Sequence, residues 1–412
     1  MLVLPLDIAE AIIRELLARK DKATVKSLSL VRSSFTPVCQ RYLLSNIIIS
    51  CSKAEGSRRY QRSSDATLKL LRSSPHLISS IRSLSVLDSG SSWTQLDPAL
   101  LDILESLTDL SCFIWKAASN SSRPTYWREL PQPLQDSIRA TIRRPSVTSL
   151  FLHFADLTDL LNTTINISPS LTYLGLRGTG FSKIALELTR PSIIPSFGEM
   201  SSRLFVTACK LEWIEDEKMC FGWITAILPN LSLERLQKLA VFRSSLHSKL
   251  PELPWGALLY HESVRSNLEE LWFDMISTNG PPVDTMSLDR LPSLKRLGLS
   301  MGLSRVFDAN WDLVLGLSKF FENANATGIT HLILCFSFSS TSLVLDPLKV
   351  PWGSLDAAVA AIPTLRWVGV QFVDCRREPT GIIPPKTKIM LPMLTERVIL
   401  HWSTSRVEFP QI

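Results

Sequence analysis

The sequence lacks several features that would place the chain in a specialised class. Its seven cysteines are scattered and never have the C-x-x-C spacing of a zinc or redox site, which predicts free thiols in a reducing compartment. No uncharged apolar run reaches the roughly 18 residues that a membrane-spanning helix needs. The apolar start is interrupted by Pro5, Asp7 and Glu10 and has no basic region before it, so no signal peptide is expected. We therefore expect a soluble protein of the cytoplasm, the nucleus or both, without a membrane partner.

The composition is that of a foldable chain with a large core. The 412 residues are 45% hydrophobic and 20% charged, which excludes disorder over most of the length. The net charge of +6 is uneven, because residues 1–82 hold 14 Lys or Arg against 6 Asp or Glu and the remainder holds 30 against 32. A basic N-terminal fifth could attract nucleic acid or an acidic protein. With no aromatic-studded basic stripe, zinc-finger or RNP-type signature, we expect no nucleic-acid partner.

Residues 4–49 have the pattern of a compact set of short helices. Pro5 suits a first helical turn, and the first helix is predicted to end near Arg19. Asp21 is predicted to cap a second helix, and Thr36 with the proline after it to begin a third. Three short helices in fewer than about 50 residues cannot bury both faces of each helix, so some apolar surface must find a partner.

This segment resembles the F-box in the order and spacing of Leu4-Pro5-Leu6-Asp7, Ile12-Ile13, Leu16-Leu17, Leu28-Ser29-Leu30-Val31, Ser34-Phe35 and Cys39 through Tyr42-Leu43. It departs from the family in having Phe35 where many members carry Trp, and Asp7 in place of the commoner Glu. The resemblance implies docking on the Skp-type adaptor of an SCF ubiquitin ligase, and through it on the cullin ligase core. The residues that it assigns to the adaptor contact are Leu4, Pro5, Leu6, Ile8, Ile12, Leu16, Leu28, Leu30, Val31, Phe35 and Tyr42. The alternative is that these helices only cap a repeat array.

A motif of the form L-x-x-L-x-L returns nine times after residue 80. Its intervals run from about 24 to about 37 residues, with one double gap of about 65 in which a degenerate unit is expected near Leu204 to Leu211. The nine occurrences are Ile81/Leu84/Val86, Leu110/Phe113/Trp115, Val147/Leu150/Leu152, Leu171/Leu174/Leu176, Leu236/Leu239/Val241, Leu268/Leu271/Phe273, Leu294/Leu297/Leu299, Ile329/Leu332/Leu334 and Leu365/Val368/Val370.

The motif predicts an α/β fold with a parallel sheet. Each occurrence follows an apolar segment of helical periodicity, and proline often separates the two, as in Pro292-Ser293-Leu294. The motif resembles the leucine-rich repeat, although the Asn or Cys that follows the strand in regular repeats is mostly missing. The expected organisation is an F-box module over 1–50, a linker and leading helix over 51–77, and an irregular leucine-rich-repeat-like solenoid, or horseshoe, over 78–412. The fold alternative is a doubly wound sheet.

The residues between the apolar motif positions are expected to face outward from the sheet. Aromatic residues and both charge signs on one face suit protein recognition, because Trp, Tyr and Arg supply most hot-spot energy. The other interpretation is that the aromatic side chains pack against one another or under loops. The residues expected to bind a target protein are Phe151, Tyr173, Arg177, Phe242, Glu270, Trp272, Arg296, His331 and Trp367.

No catalytic or cofactor motif is found. The run from Gly175 to Gly180 is G-x-x-G-x-G, which lacks both the dinucleotide spacing and a P-loop Lys. His261-Glu262 lacks the second His of a zincin. We therefore expect a non-catalytic substrate adaptor of an SCF-type ligase with no cofactor and no metal, or alternatively a ligase-independent binding scaffold; an enzyme is the third hypothesis.

Overall fold

The protein is described by a computed structural model in which the chain divides into two compact units, residues 1–171 and 172–412. The described residues are 6–19, 21–31, 35–50, 63–88, 97–117, 125–154, 168, 170–178, 204–205, 208–213, 231–232, 235–243, 259, 262–275, 288–303, 307–322, 324, 328–338, 350–374, 391–396 and 400–403.

The first unit begins with three short helices, α1 (Leu6–Ala18), α2 (Lys22–Val31) and α3 (Thr36–Leu43). Their bounds agree with the sequence expectation to within a residue. Asp21 caps α2 as predicted: its carboxylate accepts hydrogen bonds from the backbone N–H of Thr24 at 3.0 Å and from the Thr24 hydroxyl at 2.6 Å. The three helices share a small core of Ile13, Val25, Val38 and Cys39.

Four parallel strands follow in the first unit, in the chain order β1-β2-β3-β4. They are β1 (Asn46–Ser50), β2 (Ser83–Asp88), β3 (Cys112–Ala117) and β4 (Ser149–Phe154). The helices between them are α4 (Ser64–Ser73), the 3-10 helix Pro75–Ser80, α5 (Pro98–Ser106), the 3-10 helix Trp127–Glu129 and α6 (Gln132–Ile142). Because β1 pairs with β2, the last residues of the predicted 1–50 module belong to the sheet.

The second unit has eight parallel strands in the order β5-β7-β9-β10-β11-β12-β13-β14 and a separate pair, β6-β8. The strands are β5 (Tyr173–Gly178), β6 (Leu204–Phe205), β7 (Ala208–Trp213), β8 (Leu231–Ser232), β9 (Lys238–Arg243), β10 (Glu270–Met275), β11 (Arg296–Leu303), β12 (His331–Phe338), β13 (Trp367–Asp374) and β14 (Leu400–Ser403). Its helices are α7 (Glu262–Asn267), the 3-10 helix Leu288–Arg290, α8 (Phe307–Glu322), α9 (Trp352–Ala360) and α10 (Pro392–Glu396).

The α/β class with parallel strands is confirmed. All nine L-x-x-L-x-L motifs form strands, and the degenerate unit expected near Leu204 to Leu211 supplies β7. Within each unit the main strands follow chain order, whereas a doubly wound sheet reverses its strand order at a switch point. The buried motif residues include Leu84, Val86, Phe113, Trp115, Leu150, Leu152, Leu174, Leu176, Leu239, Leu271, Phe273, Leu297, Leu299, Leu332, Leu334, Val368 and Val370.

One backbone contact repeats at seven of the steps from strand to strand in the described residues. In the first unit, the carbonyl of Ser45 accepts hydrogen bonds from the N–H groups of Arg82 and Ser83, both at 2.8 Å. In the second unit, the carbonyl of Lys295 accepts from Thr330 at 2.8 Å and His331 at 3.1 Å. The same double acceptance is made by the carbonyls of Arg82, Ser111, Gln237, Glu269 and Thr330. The contact satisfies backbone groups where the strands begin, and at the carbonyls of Arg82, Ser111 and Lys295 a Ser or Thr hydroxyl donates as well.

The helical periodicity around Trp223, Trp255 and Trp311 in the sequence predicts that all three lie in the core. Trp311 was expected in the core, but it lies on α8 with 42% of its surface exposed. Its companions in that expectation, Trp223 and Trp255, lie outside the described residues. Among the described helices, none is both long and apolar enough to cross a membrane.

Candidate protein-docking surfaces

Helix α1 buries one apolar face and exposes another. Ala9 and Ile13 are 4% and 0% exposed, and Ile13 belongs to the core of the three helices. Ile8 and Ile12, one turn apart on the other side, are 45% and 42% exposed. Residues at i and i+4 are neighbours on a helix surface, so these two isoleucines form one continuous apolar strip.

Leu30 adds a third exposed apolar side chain, because α2 turns it outward while Val25 enters the core. Leu30 is 82% exposed. Among the described residues, five large hydrophobic side chains are exposed, and three of them belong to α1 and α2; the other two are Trp311 and Met393. Apolar exposure is therefore concentrated in the N-terminal helices.

The remaining predicted adaptor-binding residues are either partly buried in the helical module or have side chains that the structure does not describe. Leu16, Leu28, Phe35 and Tyr42 are partly buried and pack against the three-helix core, so they hold the helices together as well as reaching the surface. Leu4 and Pro5 lie outside the described residues, and for Leu6 and Val31 the structure describes only the helical backbone.

Polar contacts fix α1 against α3. The guanidinium of Arg14 donates a hydrogen bond to the Tyr42 hydroxyl at 2.8 Å, and Arg41 forms an ion pair with Glu10 at 3.1 Å. The Arg41 and Glu10 side chains are 56% and 22% exposed, so solvent screens this pair and it sets geometry more than stability. The strip formed by Ile8 and Ile12 is thus held on a defined bundle.

A second candidate surface lies on the outer sheet face of the second unit, the face opposite the buried motif residues. Strand register places Lys238, Glu270, Arg296, His331 and Trp367 side by side on consecutive strands β9 to β13. We call this line of five residues the first outer row. It includes four of the nine residues that the sequence assigned to target binding.

Glu270 occupies the middle of a charged group in the first outer row. Its side chain is only 4% exposed, and its Oε2 lies 3.8 Å from both Lys238 Nζ and Arg296 Nη1. Its Oε1 accepts a hydrogen bond from Trp272 Nε1 at 2.8 Å. Two cations therefore share one buried carboxylate, which also orients the indole of Trp272.

Glu270 and Trp272 were expected to be exposed, but they are 3% and 7% exposed. The indole of Trp272 lies flat over Gly298 of the neighbouring strand, where an added Cβ would overlap its six-membered ring. A tryptophan that lies against a glycine covers backbone instead of projecting into solvent. The exposure expected for these two residues is therefore wrong.

The side chains of the first outer row on β11, β12 and β13 are more exposed to solvent than Glu270 on β10. The Arg296 side chain is 59% exposed, and His331 and Trp367 are half-buried, with their ring centroids 6.1 Å apart. Burial lowers the pKa of His331, and the positive charges of Arg296 and Arg366 lower it further. Arg366 is exposed immediately before β13. The sequence prediction missed Arg366 because it considered only the neighbours of the second and third apolar positions of each motif.

Besides Trp272, four target-binding candidates are not among the five residues of the first outer row. Phe151 on β4 in the first unit and Tyr173 on β5 in the second are both half-buried. Arg177 and Phe242 lie on β5 and β9, but the structure describes only their backbone. Within the described residues, no group of three His, Cys, Asp or Glu side chains could hold a metal ion.

Comparison with known proteins does not assign the chain to a family. No protein-family model matches this chain, and no curated protein is significantly similar to it in sequence.

Proposed function

We propose that the protein is a substrate-recognition adaptor of an SCF-type ubiquitin ligase. In this proposal α1 to α3 form an F-box module that docks on the Skp-type adaptor, and the later strands form a leucine-rich-repeat-like solenoid that holds a target protein. The chain itself does no covalent chemistry. It raises the effective concentration of target lysines near the ubiquitin-charged enzyme of the complex.

The observation that carries the proposal is the exposed apolar surface of Ile8, Ile12 and Leu30 on three helices whose core has four fully buried residues among the described side chains. Exposed apolar side chains clustered on one small module are typical of a protein interface. The F-box resemblance supplies the kind of partner, and the basic N-terminal fifth is compatible with the acidic adaptors of that family.

One observation favours the second candidate, a ligase-independent scaffold in which the helices are a cap. Helix α3 contacts the 3-10 helix Pro75–Ser80, so the module packs on the elements that follow it in the first unit. A terminal cap is expected to do so. The cap function does not, however, use Ile8, Ile12 and Leu30, whose surfaces face solvent.

The test is binding of the full chain to a purified Skp-type adaptor, measured by calorimetry. Burying a whole Ile or Leu side chain contributes about 1.5–3 kcal/mol. Scaled by exposures of 45%, 42% and 82%, the three side chains contribute about 2.5–5 kcal/mol on full burial. Combined Ile8→Gln, Ile12→Gln and Leu30→Gln is therefore expected to weaken binding by about 60-fold to 4,000-fold.

The matched control is Met393→Gln, which removes a side chain of similar exposure, 46%, from α10 in the second unit. It is expected to leave adaptor binding unchanged. Absence of binding by the unaltered chain, or equal binding by the triple variant, would contradict the proposal. Deleting residues 1–50 is a poorer test, because it also removes β1 from the sheet.

A further inference from the structure

Among the described residues, positive charge exceeds negative charge where β11, β12 and β13 begin. Arg296 and Lys238 share one carboxylate, because Glu270 Oε2 lies 3.8 Å from both Arg296 Nη1 and Lys238 Nζ. Arg366 makes no ion pair with any described residue. Residues 83–412 carry 30 basic and 32 acidic residues, so this charge is a local concentration within a slightly acidic part of the chain.

Register brings the two arginines to the same place. Arg296 begins β11, Arg366 immediately precedes β13, and His331 lies between them at the start of β12. Neighbouring strands are about 4.8 Å apart, so the two arginine backbones lie about 10 Å apart and their long side chains can reach one common anion. We call Arg296, His331, Arg366 and Trp367 the cationic edge.

We propose that the cationic edge binds the carboxylate side chains of an acidic protein segment, held between Arg296 and Arg366 with an adjacent apolar side chain against Trp367. The guanidinium fork pairs bidentately with a carboxylate, and the half-buried indole supplies apolar contact. Because it names the class of target, this inference rests on the proposed function.

The charges beside the cationic edge favour an acidic peptide over a nucleic acid. Glu269 and Glu270 precede and begin β10, and Glu269 is 47% exposed while paired with Lys295 at 2.8 Å. A nucleic-acid backbone carries a phosphate at every nucleotide and needs a continuous cationic track. The two carboxylates interrupt such a track, whereas an acidic side chain needs only the local charge between β11 and β13.

The test uses the full chain and three fluorescein-labelled probes: a peptide with three Glu flanking one Leu, the same peptide with Gln for Glu, and an oligothymidine of matched length. Fluorescence anisotropy at about 50 mM salt is expected to give at least tenfold tighter binding of the Glu peptide than of either other probe. Equal binding of the Glu and Gln peptides would overturn the proposal. Tighter binding of the oligonucleotide would overturn the choice of partner.

The variant Arg296→Gln with Arg366→Gln is expected to reduce binding of the Glu peptide at least tenfold, to the level of the Gln peptide. The matched control is Arg265→Gln with Lys319→Gln, which removes two exposed cations from α7 and α8 and is expected to change nothing. Arg296→Lys with Arg366→Lys retains the charge and is expected to bind with intermediate affinity. Undiminished binding by the Gln variant would place the peptide elsewhere and refute the proposal.

A measurement on the unaltered chain covers the case in which the Gln variant does not fold. The chain has six histidines, and His331 can be assigned in an NMR titration by its loss in His331→Gln. A carboxylate bound between the two arginines favours the imidazolium, so saturating Glu peptide is expected to raise the pKa of His331. A bound peptide that leaves this pKa unmoved would refute the proposal. Adaptor binding measured on the same preparations separates failure here from failure of the ligase function.

Discussion

The contact between Trp272 and Gly298 makes the substitution Gly298→Ala a strong test of the outer sheet face. The added methyl would overlap the six-membered ring of Trp272, which is 7% exposed and cannot move away freely. The indole must rotate, and its 2.8 Å hydrogen bond to the buried Glu270 must then break. The loss in free energy of unfolding therefore has two parts, one from packing and one from the broken hydrogen bond.

The polar part is about 1.5–3 kcal/mol, because the hydrogen bond is made to a charged group. The packing part is about 1–3 kcal/mol, the usual cost of inserting a methyl into a filled site. Replacing glycine by alanine lowers the conformational entropy of the unfolded chain, which offsets about 0.4–1 kcal/mol of this loss in stability. The net loss expected for Gly298→Ala is about 2–5 kcal/mol.

The assay is urea unfolding followed by circular dichroism and by tryptophan fluorescence. With a slope of about 3 kcal/mol per molar urea, the midpoint is expected to fall by roughly 0.7–1.7 M. Gly353→Ala is the control, because no atom lies within 4 Å of the added Cβ on α9, and helix propensity predicts a small gain of about 0.5–1 kcal/mol. Gly369→Ala is expected to cost less than Gly298→Ala, since the ring that it meets belongs to half-buried Trp367.

A double-mutant cycle decides whether the ring is the cause. Trp272→Ala removes the overlap, so Gly298→Ala should cost far less in that background than in the unaltered chain. An unchanged midpoint for Gly298→Ala, or strict additivity of the two substitutions, would refute the described packing.

Three further predictions concern single side chains. Asp356→Ala is expected to lower the free energy of unfolding by roughly 2–4 kcal/mol, because the buried carboxylate accepts the N–H groups of Met393 at 2.6 Å and Leu394 at 3.0 Å; an unchanged urea midpoint would count against this cap. The pKa of His331 is lowered in the folded chain, so the unfolded chain binds more protons and stability should fall as the pH drops below about 6.5, with a smaller fall in His331→Gln. Burial raises the pKa of the Cys39 thiol, so peptide mapping after treatment with a thiol reagent should find Cys39 labelled only on unfolding, and rapid native labelling would contradict its place in the core.

The strand positions were largely predictable, because the spacing of buried apolar residues is a property of each strand alone. Apart from the short pair β6-β8, the structure adds two strands that the sequence motif did not predict. Leu44, Ile47 and Ile49 have the motif spacing, but they were grouped with the preceding helices, although Asn46–Ser50 is β1. For β14 the first apolar position is taken by Arg397, which conceals the motif.

Exposure on the outer sheet face was less predictable, because it depends on residues far apart in sequence. Whether Trp272 projects or lies flat is decided by Gly298, which register places beside it on the next strand. The role of Arg366 likewise depends on pairings of β12 with its neighbours. The partly buried positions of Leu16, Leu28, Phe35 and Tyr42 follow from how three helices meet, which a linear pattern does not contain.

The carbonyl that accepts two N–H groups at seven of the described strand-to-strand steps has an evolutionary consequence. Since the contact is made by main-chain atoms, substitutions at Lys238, Arg296 or Trp367 leave it intact. The backbone contact is therefore insulated from changes in the side chains of the first outer row. The side chains of this row can therefore change over evolution while the same backbone framework is inherited.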